Sequence, residues 1–209
     1  MPTIGRRLAR STLAGDSVVL APMLLGRVVV SDSAEGRVAV RLTEVEAYRG
    51  ADDPASHAYR GLTRRNASMF DEPGHLYTYF VYGMHWCANV VTGPVGCPSA
   101  VLLRAGEVVH GQKLAAGRRS ERTNSEHLAR GPAGLASVLG LAAEQNGIDL
   151  CRSDSTISVR TGVRTPATLI ANGPRVGVNV AAEHPWRFWE LGAPSVSAFR
   201  AGVKRAKRG

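Results

Sequence analysis

The chain has 209 residues, of which 44% are hydrophobic and 21% charged. That length can bury a substantial core in one domain, and that composition excludes a disordered chain. A formal net charge of +9 favours a polyanionic partner, nucleic acid before an anionic membrane surface, although a merely basic enzyme would carry it too. No apolar run approaches the roughly 20 residues of a membrane span, and the opening MPTIGRRLARSTLAGD has no continuous apolar segment. A soluble, intracellular (cytoplasmic) protein is expected. Cys87, Cys97 and Cys151 are scattered and form no CxxC pair, which argues against a disulfide framework or zinc ribbon and reads as buried reduced thiols.

Asp16-Ser17 ahead of VVLAPMLLG predicts an N-cap, a short helix and a terminal Gly26. RVVV (27–30) and RVAVRLTEVEAY (37–48) flank the turn SDSAEG and predict a β-hairpin. Residues 49–75 read as loop. LYTYFVY (76–82) and WCANVVT (86–92) predict strands joined through Gly83, and SAVLLRA (99–105) predicts another. A helix is expected from Glu107 to about Leu114, and AGRRSERTNSEH (116–127), almost without apolar side chains, predicts a mobile basic loop. Pro132 suits the first position of a helix through LASVLGLA. Short strands are expected near 156–160, 167–171, 175–180 and 186–191. The final KRAKRG (204–209) reads as a disordered basic tail on a single domain of residues 1–203. Strands and helices without a βαβ rhythm predict an α+β fold, one compact domain with a curved, mainly antiparallel sheet flanked by helices.

All five tyrosines (Tyr48, Tyr59, Tyr77, Tyr79, Tyr82) fall between positions 48 and 82, together with His57, His75, His85 and Trp86. Such rings are ordinary sheet packing, but in a basic protein they also build stacking platforms for nucleobases. In RVAVRLTEVEAY a period of two puts Val38, Val40, Leu42, Glu44, Glu46 and Tyr48 on one face. Glu46 near the strand end is placed either to serve as a general base, helped by a low dielectric, or to pair with Arg41 or Arg104 as a structural salt bridge. No HxxxH or HExxH is present, and His85-x-Cys87 has no second pair beside it, so no metal is expected. GxGxxG, GxxxxGK[ST] and GxSxG are likewise absent, and no cofactor is expected.

EVEAYRGADDPASHAYRGLTRRNASMF (44–70), PGHLYTYFVYGMHWCANV (73–90) and VLLRAGE (101–107) resemble the alkyladenine (3-methyladenine) DNA glycosylase family. RGPAGL (130–135), PRVGVNVA (174–181), WRFW (186–189) and GAPSVS (192–197) echo it, so the likeness runs from about residue 20 to residue 200. It implies a DNA-associated monofunctional glycosylase of base excision repair, acting as a monomer on double-stranded DNA that contains damaged purines. The resemblance assigns Glu46 as the base that activates water and Arg104 as the residue that helps hold that water. It places Tyr48 on one face of the flipped base, His57 and Tyr79 on the other, and Asn89 as a check on the amino group of guanine. Tyr82 becomes the wedge that fills the gap in the duplex. Thr63, Arg65, Met84, His85, Arg118, Arg119 and Ser197 fall in segments that contact the DNA backbone. Glu44 shares the strand face but not the motif position, so its replacement is expected to leave the chemistry largely intact.

This sequence departs from the family pattern at His85, where a phenol is usual after Met84, and at Gly134, where a lysine is common. The loop between His57 and Asn66 is slightly short. A non-catalytic nucleic-acid-binding module would explain the charge and aromatics equally well, but gives no reason for Glu46 and Arg104 to share a pocket. A hydrolase of free nucleosides would not need the net charge.

Overall fold

The computed structural model describes residues 3–202. After a single helical turn, α1 (Arg10–Leu13), the Asp16 carboxylate accepts the Val18 amide at 2.8 Å and caps α2 (Ser17–Leu24), as the sequence predicts. The chain leaves through Gly26 at φ +78, where a Cβ would meet the Val163 carbonyl at 2.1 Å, so only glycine fits. β1 (Val28–Ser33) and β2 (Gly36–Tyr48) form the expected hairpin around the tight turn Ala34-Glu35. β3 (Leu76–Val81) and β4 (His85–Val91) form a second hairpin, followed by β5 (Ala100–His110), α3 (Gln112–Gly117) and α4 (Pro132–Leu139). Three short strands close the chain: β6 (Ile157–Arg160), β7 (Ile170–Gly173) and β8 (Arg187–Glu190).

Among the described residues these eight strands make one antiparallel sheet that does not close, in the order β3-β4-β5-β2-β1-β6, with β8 on β2 and β7 on β8. β2 organises it. One edge of β2 pairs with β5 from Ala39 to Tyr48; the other pairs with β1 up to Arg41 and with β8 from Glu44 to Glu46. Partners on both edges bury β2 almost throughout, which is why RVAVRLTEVEAY is apolar at both parities over much of its length. α2 and α4 cover the sheet, so that Leu24 and Leu25 join Val38, Val40, Leu42, Leu103, Leu135 and Leu139 in the main core. The α+β expectation holds.

Several local expectations do not. Residues 107–110 extend β5 instead of beginning a helix, because Glu107, Val108 and His110 complete the ladder with Arg41, Val40 and Ala39. The helix starts only after Gly111 at φ +75 and runs through Gly117, taking the first residues of the expected loop; Ser125–His127 adds a 3-10 turn to the rest. Residues 167–169 form a 3-10 turn before β7, and 175–180 form no strand: the Gly177 amide bonds to Arg200, with Gly177 at φ +72. Of the three free thiols, Cys87 is buried and Cys151 half-buried, but Cys97 is exposed in the turn before β5. The expected tail at 204–209 lies outside the described residues.

Candidate active site

The β2–β5 register slips three times, and the two slips on either side of Glu44 leave Thr43 and Arg104 without ladder partners. Arg104 stands between Leu103, opposite Val45, and Ala105, opposite Glu44, and its guanidinium reaches both carboxylates of the β2 face. Nε donates to Glu44 Oε1 at 2.8 Å, whereas Nη1 lies 3.3 Å from Glu46 Oε1. From β8, Arg187 Nε also donates to Glu44 Oε1 at 2.8 Å. Ser197 completes the Glu44 shell, with its amide 2.7 Å from Oε2 and its hydroxyl 2.9 Å from Oε1. Glu46 has fewer partners. The Val176 amide donates to Oε1 at 2.7 Å and the Tyr48 hydroxyl to Oε2 at 2.9 Å. The cluster therefore holds two carboxylates and two guanidiniums, all at most 5% exposed.

Unequal sharing drives the two carboxylates apart. Burial raises the Glu44 pKa, but Arg104, the Ser197 amide and Arg187 together bring it below the ordinary glutamate value. Burial dominates at Glu46: Arg104, the Val176 amide and the Tyr48 hydroxyl only partly offset it, Glu44 adds like-charge repulsion, and the pKa is raised. Desolvation opposes the Arg104 charge, but the two carboxylates more than compensate, so it stays a cation. Paired acids with divergent environments mark a division of roles, one fixed as an anion and the other available for proton transfer.

Tyr48 links Glu46 to a pocket. Tyr48, Ala55, Ser56, His57, Met69, Tyr77, Tyr79 and Asn89 line a half-open pocket rich in aromatic faces. Tyr77 and Tyr79, on one face of β3, stack at 5.6 Å between ring centres, and the His57 ring meets Tyr79 edge-on at 4.5 Å. His57 Nδ1 lies 3.0 Å from the Tyr77 hydroxyl, and Asn66 anchors the His57 carbonyl at 2.9 Å. Desolvation against these rings, then the Arg65 charge, lowers the His57 pKa, so the imidazole is neutral at pH 7. Burial raises Tyr48 and Tyr79 well above the usual phenol value and Tyr77 to about 12, so all three remain protonated. Asn89 is held by its Nδ2, which donates to the Tyr77 carbonyl at 3.1 Å.

A family model for methylpurine-DNA glycosylase (MPG) matches residues 11–194. A Streptomyces avermitilis protein named "Putative 3-methyladenine DNA glycosylase" is 47% identical over 96% of this chain and 95% of its own length. Proteins of the same name from Nocardia farcinica and Leifsonia xyli are each 48% identical, over 88% and 91% of this chain and 89% and 92% of their own lengths. The chain belongs to the methylpurine-DNA glycosylase family.

In this DNA glycosylase, the sequence-assigned Tyr48, His57, Tyr79 and Asn89 share one pocket, with Glu46 and Arg104 beside it. Tyr82 is 85% exposed at the tip of the β3–β4 hairpin and adopts φ +55; with Gly83 at φ +67 and the Met84 amide 3.2 Å from the Val81 carbonyl, it forms a type I′ turn. Thr63, Arg65, Met84 and His85 are exposed, and Arg65 Nη2 donates to the Phe80 carbonyl of the same hairpin at 3.3 Å. Ser197 is half-buried, with its hydroxyl turned to Glu44 and Arg104. Arg118 and Arg119 are not brought to the pocket. Arg118 pairs with Glu35 at 2.5 Å, in the turn that precedes β2, eleven residues or about 36 Å of strand from Glu46. Arg119 lies against Gly134, 3.3 Å from where a Cβ would stand, so the glycine departure makes room for this guanidinium.

Of the two salt bridges considered for Glu46, Arg41 turns away to Glu107 and Glu190, and only Arg104 is present. Tyr77 belongs to the aromatic cluster seen in the sequence but received no role from the resemblance, although its period-two spacing from Tyr79 signalled a shared face. Sequence reasoning left out Arg187, the Glu44 shell and a fully buried pair: Arg175 meets both Asp53 oxygens, at 2.5 and 2.9 Å, and stacks 4.6 Å from the Tyr48 ring centre. No local pattern marks these contacts.

Proposed function

We propose that this glycosylase flips a damaged purine out of duplex DNA and hydrolyses its bond to the sugar with a water activated by Glu46. A base inside the stack is inaccessible, so it must be extruded, at a cost of a few kcal/mol. Tyr82, held outward at the hairpin tip, wedges into the vacated position and slows return, while Thr63, Arg65, Met84 and His85 flank it on the DNA backbone. The pocket takes the base between Tyr48 and the His57–Tyr79 pair. Purines alkylated at ring nitrogens are cationic, and neutral His57 with protonated tyrosines lets aromatic faces attract them by about 0.5–2 kcal/mol each. Asn89 disfavours the amino group of undamaged guanine.

The divergent carboxylate pair is the observation that carries this reading. A raised pKa makes Glu46 a stronger proton acceptor than an ordinary glutamate, and Arg104 beside it helps hold the water. Glu46 takes the water proton as the oxygen bonds to the sugar carbon, and the base departs with the bonding electrons. This route involves no amine nucleophile, so no lyase step follows. The substrate class is alkylated or deaminated purine, and the relatives' printed name supports a methylated adenine. Incubation with alkylated duplex DNA tests it: free damaged base and an unbroken abasic strand are expected. Binding without base release would leave only a nucleic-acid-binding module, release from free nucleosides would indicate a nucleosidase, and borohydride trapping of the protein on DNA would overturn the monofunctional mechanism.

A further inference from the structure

We propose that Glu44 is a positioning residue for the hydrolytic step, orienting Arg104 so that its guanidinium offers Glu46 one donor instead of a bidentate fork. The proposal rests on Glu46 acting as the base. The fork edge of Arg104 is already committed: Nε donates to Glu44 at 2.8 Å and Nη2 to the Ser197 hydroxyl at 3.1 Å. That hydroxyl donates to the same Glu44 oxygen at 2.9 Å, closing a ring of three side chains. Arg187 holds the carboxylate from the far side, and its Nη2 donates to the Ser197 carbonyl at 2.6 Å, tying the chain after β8 into the ring. Nη1, which takes no part in that ring, lies 3.3 Å from Glu46.

Released from Glu44, Arg104 would have one buried carboxylate left to satisfy its charge. Guanidinium and carboxylate then favour a two-bond pair, which would occupy the oxygens of Glu46 and hold it in its ionised form as a poor proton acceptor. Glu44 thus keeps a cation next to the base without letting the cation neutralise it. A bystander carboxylate would not need four polar contacts from three residues.

The groups facing Glu46 fix the sign of the pH effect. They are Glu44 and Tyr48 on β2, Arg104 on β5, Arg187 opposite it on β8, Tyr79 and Cys87 on β3 and β4, and Arg175 behind Tyr48. Of these, Glu44→Gln removes the one like charge and leaves Arg104 and Arg187 without their shared carboxylate, and both changes favour ionised Glu46. A base works only when ionised, so the acid limb of the rate profile moves to lower pH.

The test is single-turnover excision of a neutral damaged purine from a defined duplex, measured against pH for the wild type, Glu44→Gln and Ser197→Ala. For Glu44→Gln we expect a plateau rate lower by about 10–10²-fold, the cost of a misplaced catalytic group, with lesion affinity nearly unchanged and the acid limb displaced downward. Ser197→Ala breaks the same ring at a half-buried position and should displace the limb the same way by less, which decides the matter if Glu44→Gln does not fold. An acid limb at the wild-type pH in every folded variant, whatever the loss of stability, overturns the positioning role. If instead the wild-type limb persists in Glu46→Gln, the base assignment itself fails, a result distinct from an unmoved limb that still depends on Glu46.

Discussion

Replacing Tyr82 with asparagine should stabilise the fold while weakening the enzyme's hold on duplex DNA. Tyr82 sits at φ +55, a left-handed conformation that costs an ordinary L-residue about 1–2 kcal/mol. Asparagine tolerates that conformation, and Asn-Gly is the preferred pair for a type I′ turn, so much of the cost is recovered. The ring is 85% exposed, and the burial forfeited is worth less than about 0.5 kcal/mol. The net gain is about 0.5–1 kcal/mol, or a rise of about 1–4 °C in Tm for a chain of this size. Thermal unfolding measures the gain, and excision from the same lesion in double and single strands measures the loss. Duplex excision should fall while single-strand excision stays near wild type. A variant that is less stable by about 1 kcal/mol, or that loses both activities equally, would show that the ring packs in the fold or the pocket and is no wedge.

Two further perturbations probe the walls of the site. Tyr48→Phe keeps the stacking ring but removes the 2.9 Å hydrogen bond that helps ionise Glu46; the Glu46 pKa should rise and the acid limb should move to higher pH, opposite to Glu44→Gln, with lesion affinity unchanged. Arg175→Met leaves the fully buried Asp53 carboxylate unpaired and should cost about 3–5 kcal/mol in urea unfolding, part of which Asp53→Asn should restore in the double variant.

The parts legible in the sequence are those fixed by short-range pattern. Asp16 at the start of α2, Pro132 at the start of α4 and the alternation that aligns Glu44, Glu46 and Tyr48 need only neighbours within a few residues. The aromatic pocket was legible for a related reason, since Tyr77 and Tyr79 share a strand face and the family motif supplied His57 and Asn89. What escaped depends on distant partners. The contacts of Glu44 were hidden because Arg187 and Ser197, which surround it, lie 143 and 153 residues away. The helix expected after Glu107 yielded to ladder bonds with β2, which local propensity does not contain. The family resemblance put Arg118 in a segment that contacts DNA, and its partner in the structure, Glu35, lies 83 residues earlier.

The central claim is that Glu46 removes a proton from the attacking water, and Glu46→Gln tests it most directly. The amide keeps the size and much of the hydrogen bonding but cannot accept that proton. The substrate should be a neutral damaged purine such as hypoxanthine, because a cationic base leaves with little assistance. The variant should bind the lesion duplex as the wild type does, excise about 10²–10⁴-fold more slowly, and lose the acid limb of the rate profile. Excision at the wild-type rate, with the limb intact, would contradict the assignment.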